Sequence, residues 1–189
     1  MAVAVFIIHG TEGSPQENWF PWLQEKLEQQ GCHVFVPQFP SPPGVPVKSA
    51  AWFDILKNYK EHINSETIFI AHSLGGIFLL RVLEKLKGQI RAAFFVATPI
   101  GIRPILNYDR DNIFSGFSFA WEEIKKKAQD FVVFHSDTDP YVGLENGKEL
   151  AKKLGIDLSF IANAGHFNAK AGYLKFEALA ERVLQILKN

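Results

Sequence analysis

A serine at a sharp turn is the residue of this sequence that is best placed for covalent chemistry. It lies in the segment Ala71-His72-Ser73-Leu74-Gly75-Gly76, between an apolar run that predicts a strand and a pattern that predicts a helix. Small residues on both sides of Ser73 let the strand and the helix approach each other closely. The hydroxyl group then lies at a helix N-terminus, where free N–H groups stabilise developing negative charge. The alternative is that Ser73 only caps the helix.

A serine hydroxyl needs a base to become a good nucleophile, and the chain has six histidines. One of them, His166, follows the last predicted strand on a loop with a glycine, Asn163-Ala164-Gly165-His166-Phe167. Because the residues that follow parallel strands meet at one edge of the sheet, His166 is the predicted base, and the alternative is a histidine that only caps or fills the loop. His72 adjoins Ser73, and we expect it, together with Gly10, among the residues around a substrate.

Two carboxylates follow the fifth predicted strand and are candidates for orienting this histidine. They stand in the turn His135-Ser136-Asp137-Thr138-Asp139-Pro140. Turns favour aspartate for local hydrogen bonds, so one of the two can be purely structural. Pro140 biases Asp139 towards an extended backbone. The spacing by itself does not decide between Asp137 and Asp139.

The chain order of these residues is serine, aspartate, histidine, which resembles the order on an α/β-hydrolase sheet. Such a site also needs backbone N–H groups that bind an oxyanion. The amide of Leu74, directly after the serine, is one predicted donor. The second donor is expected from the glycine-containing loop after the first strand, with Thr11 as the main candidate and Gly10 and Glu12 as alternatives.

Six short β-rich runs alternate with six helical patterns, and these are the elements that must position the site. The predicted strands are residues 3–8, 33–36, 67–71, 92–97, 131–135 and 157–161. The predicted helices are residues 19–30, 51–63, 75–87, 121–129, 145–154 and 173–188. This alternation predicts the α/β class: a doubly wound, six-stranded, mainly parallel sheet with helices on both faces. Residues 37–47, with five prolines, and residues 99–119 are predicted as loops, the second with a helical turn.

Composition limits the remaining classes of function. A length of 189 residues suits one domain, 1–189, with a core large enough to need no metal or disulfide. Basic and acidic residues number 20 each, which argues against a nucleic-acid binder and against a polybasic membrane-surface protein. Cys32 is the only cysteine, which excludes an intramolecular disulfide and a cysteine-rich metal site. No run is long enough to span a membrane and no signal-peptide pattern is present, so a cytoplasmic protein is expected.

Together these motifs resemble the small lidless α/β-hydrolases of the YdeN and retinoblastoma-binding-protein type, over nearly the whole chain. The resemblance lies in the loop after the first strand, the pair Trp19 and Trp22, the proline-rich loop before Trp52, His72-Ser73, Asp139-Pro140 and Gly165-His166-Phe167. It implies a minimal α/β-hydrolase fold without a lid domain, and a serine hydrolase that uses no cofactor and no metal. It also favours Asp139 as the acid, because the acid of that family directly precedes a proline. Two features depart from the family: Ala71 replaces the usual glycine, and the loop at residues 39–47 is longer and richer in proline.

We therefore expect a serine hydrolase that cleaves small acyl esters through an acyl-enzyme, with Ser73, His166 and Asp139 as its triad. The aromatic residues Phe114, Phe117 and Trp121 are expected on the acyl side of the pocket, with ordinary core packing as the alternative. Two other functions stay open: a protein-binding module on a hydrolase scaffold with little turnover, and a peptidase or acyltransferase that uses the same triad. The expected partner is a small acyl substrate, and the sequence does not reveal whether a protein partner exists.

Overall fold

The computed structural model describes residues 2–188, which contain a six-stranded sheet in which all neighbouring strands are parallel. The strands are β1 (Ala4–Ile8), β2 (His33–Phe35), β3 (Ile68–His72), β4 (Ile90–Val96), β5 (Ala128–His135) and β6 (Ser159–Phe160). Their order across the sheet is β2-β1-β3-β4-β5-β6, so the direction of winding reverses between β1 and β3. Ligands of such sheets bind outside the carboxyl ends of the strands at this switch point, where Ser73 follows β3.

Seven α-helices within the described residues cover both faces of the sheet. They are α1 (Phe20–Glu28), α2 (Ser49–Leu56), α3 (Leu74–Lys85), α4 (Tyr108–Ser115), α5 (Trp121–Ile124), α6 (Glu145–Leu154) and α7 (Glu177–Lys188). Buried residues of α2 to α6 join one apolar cluster, and those of α1 and α7 join another. Alternate residues of β1 belong to the two clusters, Phe6 to the first and Val5 and Ile7 to the second. Both faces of the sheet are thus buried, which confirms the fold class that the continuous apolar runs predict.

The largest departure from the predicted elements concerns residues 99–119. The sequence predicts a loop with a helical turn there, whereas the structure has the eight-residue helix α4. Only Asp111 and Phe114 of this helix are buried. It therefore lacks the apolar stripe by which an amphipathic helix is recognised in a sequence.

Several element boundaries also differ from the predicted ones. The helix predicted for residues 121–129 is wrong after Ile124, because Ala128 already pairs with Ile90 of β4. The helix predicted for residues 51–63 is an α-helix only to Leu56, and a 3-10 helix (Lys57–His62) completes it. The last strand and the last helix are shorter than predicted, as their bounds above show. None of the helices formed by residues 2–188 is both long and apolar enough to cross a membrane.

Candidate active site

Ser73 occupies a strained turn between β3 and α3. Its φ is 55° and its ψ is −123°, a conformation that residues with a side chain rarely adopt. Close packing keeps the turn in place, because a Cβ atom at Gly75 would lie 2.6 Å from the carbonyl oxygen of His9. A Cβ atom at Gly76 would overlap the side chain of Thr98. The Ser73 side chain makes no capping hydrogen bond to α3, so the capping alternative is wrong and the hydroxyl is left available.

His166 and Asp139 form a hydrogen-bonded pair at the same edge of the sheet. Nδ1 of His166 donates to Oδ2 of Asp139 over 2.7 Å, and the Asp139 side chain is fully buried. The other carboxylate oxygen, Oδ1, accepts from the amides of Tyr141 (2.8 Å) and Val142 (3.0 Å). Hydrogen bonds thus fix both oxygens of the carboxylate, and the Nδ1 proton of the histidine is engaged. Nε2 of His166 is left with a lone pair, which is what a general base needs.

The turn that carries Asp139 also holds the loop that carries His166. Three consecutive amides of the loop donate to three consecutive side chains of the turn: Asn163 to Asp137 Oδ1 (2.8 Å), Ala164 to Ser136 Oγ (2.9 Å) and Gly165 to Thr138 Oγ1 (3.1 Å). Asp137, the alternative acid, thus accepts from the backbone of this loop, while Asp139 accepts from the imidazole ring of His166. The turn and the loop together set the position of that ring.

His72 packs against His166 from within the protein. The two ring centroids are 4.8 Å apart, and Nε2 of His72 donates to the carbonyl oxygen of His166 over 2.8 Å. Complete burial, followed by the neighbouring His166, lowers the pKa of His72 to about 3. The ring is therefore neutral near pH 7. It reaches the wall of the cavity described below, as a substrate-binding residue would, but its hydrogen bond supports the backbone of His166.

Several backbone amides near Ser73 have no hydrogen-bond partner within residues 2–188, among them those of Leu74, Thr11 and Gly10. The amide of Glu12, one of the alternatives, instead donates to Oγ of Ser41 over 2.6 Å. Gly10 lies directly against the serine, because a Cβ atom there would be 2.8 Å from Cβ and 3.4 Å from Oγ of Ser73. A side chain at this position would fill the space next to the hydroxyl.

A cavity of about 430 Å³ opens beside Ser73 and His166. Its wall includes Thr11, Tyr141 and Arg110, and most of the other residues that line it are polar or charged. A larger groove of about 580 Å³ lies where β5 and β6 begin. Ligands of α/β sheets bind where the strands end, and of the two only the smaller cavity contains a serine with a histidine. We therefore take the smaller cavity as the candidate active site.

The aromatic residues expected on the acyl side of the pocket do not line this cavity. Phe114 is buried in the core against Trp52, and Phe117 and Trp121 pack against other aromatic residues of their own segment. The expected acyl wall is therefore wrong, and for Phe114 core packing is the correct interpretation. An aromatic residue has the same sequence pattern whether it faces a core or a pocket. The residue that α4 contributes to the cavity is Arg110.

Sequence reasoning misses the residues that hold the loop after β1. Nε2 of His9 accepts from the amide of Phe39, and its Nδ1 donates to the carbonyl oxygen of Gly10, both over 2.9 Å. Burial lowers the pKa of His9, which favours the neutral ring that these two bonds require. Glu12 pairs with Arg110 over 2.7 Å. The place of His9 directly after a strand is a usable signal, whereas Glu12 and Arg110 are 98 positions apart and no spacing rule connects them.

The pKa values of the two glutamates in the cavity wall are shifted in opposite directions. Arg110 and then the amide of Gly44 lower the pKa of Glu12, so its carboxylate is charged near neutral pH. Burial raises the pKa of Glu17.

Over residues 2–188, no group of three or more histidine, cysteine, aspartate and glutamate side chains is arranged to hold a metal ion. The geometry brings together a serine, a histidine paired with a carboxylate, and free backbone amides beside the serine.

Comparison with known proteins places this geometry in context. A family model described as serine hydrolase matches residues 5–185. The chain is 30% identical over 175 residues to YdeN of Bacillus subtilis, which covers 92% of this chain and 90% of YdeN. It is 27% identical over 151 residues to the serine hydrolase RBBP9 of Rattus norvegicus, over 79% of this chain and 78% of that protein. The crystal structure of the B. subtilis ydeN gene product matches all of both chains with a TM-score of 0.90 and 26% identity.

Proposed function

The chain belongs to the serine hydrolase family, of the small YdeN and RBBP9 type, and from this premise we propose that it hydrolyses small carboxylic esters. Ser73 is the nucleophile of this proposal, His166 is the base, and Asp139 orients the base. The amides of Leu74 and Thr11 bind the oxyanion. The observation that carries the proposal is the 2.7 Å hydrogen bond between His166 and Asp139, beside a strained and uncapped serine in one cavity.

The reaction follows from this arrangement in two halves. Oγ of Ser73 attacks the carbonyl carbon of the ester while its proton moves to Nε2 of His166. The two amides bind the negative charge on the carbonyl oxygen. The C–O bond then breaks, and the alcohol leaves with the proton from His166. Water attacks the acyl-enzyme by the same route, His166 takes its proton, and that proton returns to Ser73 as the carboxylic acid departs.

The size and the polarity of the cavity bear on the substrate. A volume of about 430 Å³ lies at the small end of the usual range for small-molecule sites, about 300–1,000 Å³. Polar and charged residues form most of its wall, and the three aromatic residues named above are absent from it. The small volume favours a short acyl group over a long apolar chain, which would need a longer channel.

A fluorophosphonate probe tests the nucleophile directly, because it labels a serine only when a base activates it. We expect wild-type protein to take up one label per chain, Ser73→Ala to take up none, and His166→Ala to react more slowly by several orders of magnitude. Ser65→Ala and His33→Ala are matched controls, since both residues are exposed and neither lines the cavity. A series of p-nitrophenyl esters from acetate to octanoate then tests the substrate, and kcat/KM should be highest for the short acyl groups.

The outcomes separate the parts of the proposal. Folded wild-type protein that takes up no label contradicts the mechanism, and the search then turns to binding partners. A label that persists in Ser73→Ala identifies another nucleophile. Labelling of Ser73 with no turnover of any ester contradicts the ester substrate while leaving the nucleophile in place, and a peptide or acyl-transfer panel is then the next test.

A further inference from the structure

The loop after β1 contains a turn that needs support from outside. Residues 10–13 form this turn, which is closed by a hydrogen bond from the amide of Gly13 to the carbonyl oxygen of Gly10 (3.2 Å). Glu12 is its third residue and has a φ of 56°, in the left-handed region that favours glycine. A residue with a side chain stays in such a conformation only where the surrounding contacts hold it. Because Thr11 lies in the same turn, the direction of its free amide depends on those contacts.

Contacts to two distant segments hold Glu12. Its carboxylate oxygen Oε1 accepts from NH1 of Arg110 on α4 (2.7 Å) and from the amide of Gly44 (3.1 Å). Its own amide donates to Oγ of Ser41 (2.6 Å). The side chain and the backbone of Glu12 are thus both fixed. Since Ser41 and Gly44 belong to the proline-rich loop, Glu12 joins three separate parts of the chain.

The proline-rich loop, residues 37–47, is itself anchored and can serve as a support. The amide of Phe39 donates to His9, and the carbonyl oxygen of Pro40 accepts from Nε1 of Trp52 (2.8 Å). The ring of Phe39 is fully buried and stacks on Trp52. Prolines restrict the backbone on both sides of these contacts. A loop fixed in this way transmits its position to Glu12 through Ser41 and Gly44.

Stability alone is a poor explanation for a glutamate at this position. Its side chain is 42% exposed, and exposed ion pairs contribute little to folding. Glycine or asparagine would adopt the left-handed conformation more readily. Glu12 and Arg110 both line the cavity beside Ser73. The pair is therefore placed where it can affect the reaction as well as folding.

We propose that Glu12 is a positioning residue for the oxyanion hole: held by Arg110, Gly44 and Ser41, it fixes the turn that directs the Thr11 amide at the oxyanion. This inference rests on the serine hydrolase function proposed above. Glu12 touches no reacting atom, and its loss lets the turn relax and the amide tilt away. The tilt weakens an interaction that forms fully only in the transition state, so kcat falls while KM changes little.

The test compares variants that break the support at different points. Glu12→Gln removes the charge and keeps the shape, Arg110→Met removes the ion-pair partner, and Ser41→Ala removes the acceptor of the Glu12 amide. Loss of a whole oxyanion donor lowers kcat by about 10²–10³-fold. We expect about 10-fold or more for Glu12→Gln and for Arg110→Met, and a smaller loss for Ser41→Ala. Glu66→Gln is the matched control, because it breaks an ion pair with Arg91 (3.1 Å) at the opposite edge of the sheet.

Two further measurements distinguish positioning from a general structural role. The affinity for a boronic acid, which forms a tetrahedral adduct with the serine, should fall in parallel with kcat/KM. The double variant Glu12→Gln, Arg110→Met should be about as slow as the slower single variant, because both act through one contact. Thermal midpoints identify any variant that fails to fold. If Glu12→Gln is such a variant, Arg110→Met and Ser41→Ala still provide the test.

The outcomes also separate this inference from the proposed function. Wild-type protein without fluorophosphonate labelling contradicts the function itself. Labelled, active wild-type protein whose Glu12→Gln and Arg110→Met variants keep the kcat of Glu66→Gln overturns only the inference. A rise in KM at unchanged kcat also overturns it, since that result makes Glu12 a substrate-binding residue.

Discussion

The two sides of the candidate site are held in place by different means. On the base side, the turn at residues 136–139 meets the loop at residues 163–166 through four hydrogen bonds, one for each residue of the turn. On the oxyanion side, the loop after β1 meets the proline-rich loop and α4 through Glu12, through His9 and through the side-chain amide of Gln38, which donates to the carbonyl oxygen of Gly13. The base-side hydrogen bonds are spread over four residues of the turn, whereas three of those on the oxyanion side involve the single residue Glu12. A single substitution on the base side should therefore change the activity little, except at Asp139. A single substitution on the oxyanion side should lower the activity.

The largest expected effect on activity comes from a substitution of Asp139, the exception on the base side. In Asp139→Asn, the side-chain carbonyl must accept from the amides of Tyr141 and Val142, which turns the NH₂ group towards Nδ1 of His166. Two donors then face each other, so the imidazole adopts the other tautomer and loses the lone pair at Nε2. We expect kcat for ester hydrolysis to fall by about 10⁴-fold, as a wrong tautomer does in a serine triad.

The matched change at Asp137 tests the spread of the base-side hydrogen bonds over the turn. Asp137→Asn keeps an oxygen that can accept from the amide of Asn163, and the bonds of Ser136 and Thr138 to the same loop remain. The expected loss in kcat is less than about 10-fold, since one neutral hydrogen bond replaces a charge-assisted one. Equal losses in Asp139→Asn and Asp137→Asn would show that the acid is not assigned correctly.

The contrast between the two sides of the site also explains which of its residues can be predicted from the sequence. Ser73, Asp139 and His166 each follow a strand, and parallel strands bring their carboxyl ends to one edge, so a periodicity argument is enough to bring these residues together. The resemblance to a known family supplied the choice of Asp139. Contacts between loops have no period, and the partners of Glu12 come from 29, 32 and 98 positions away. The burial of Phe114 was open for a similar reason, because its sequence pattern fits both a core and a pocket.

A smaller effect is expected from a substitution of Gly75, which lies where the two sides of the site meet. A Cβ atom there would lie 2.6 Å from the carbonyl oxygen of His9 and 2.7 Å from that of Ile8. Both oxygens are backbone atoms, Ile8 being the last residue of the central strand β1 and His9 the residue after it. Gly75→Ala should lower the free energy of unfolding by about 1–3 kcal/mol, because β1 and α3 cannot separate without loss of packing. It should also slow fluorophosphonate labelling, since Ser73 and the Gly10 loop move apart.

Gly88→Ala is the matched control for this substitution. A Cβ atom at Gly88 meets nothing within 4 Å, so the free energy of unfolding should stay the same or rise slightly. Urea denaturation of both variants and of wild type measures the difference. If Gly75→Ala is as stable and as reactive as Gly88→Ala, the close approach of strand and helix does not hold the nucleophile in place.

A further effect is expected at His72, which supports the position of His166 from within the protein. His72→Leu leaves the carbonyl oxygen of His166 without its donor, whereas His72→Gln can still donate to it. We expect kcat to fall by about 10-fold in the leucine variant, in line with one lost hydrogen bond, and to recover largely in the glutamine variant. Similar activity in the two variants would contradict a role that depends on this hydrogen bond.

His72 also predicts how stability depends on pH. Burial lowers its pKa to about 3 in the folded protein, from 6.5 for a free histidine. As the pH falls from 6.5 towards 3, the unfolded chain binds a proton at this position and the folded chain does not, so the free energy of unfolding decreases by up to about 1.4 kcal/mol per pH unit.

His72→Gln removes this contribution and should lose less stability between pH 7 and pH 5 than wild type. Burial lowers the pKa of His9 and of His135 as well, so part of the acid sensitivity should remain in His72→Gln. An unchanged pH dependence in His72→Gln would mean that His72 takes up a proton in the folded protein, and a charged ring there would oppose the imidazolium that His166 must become.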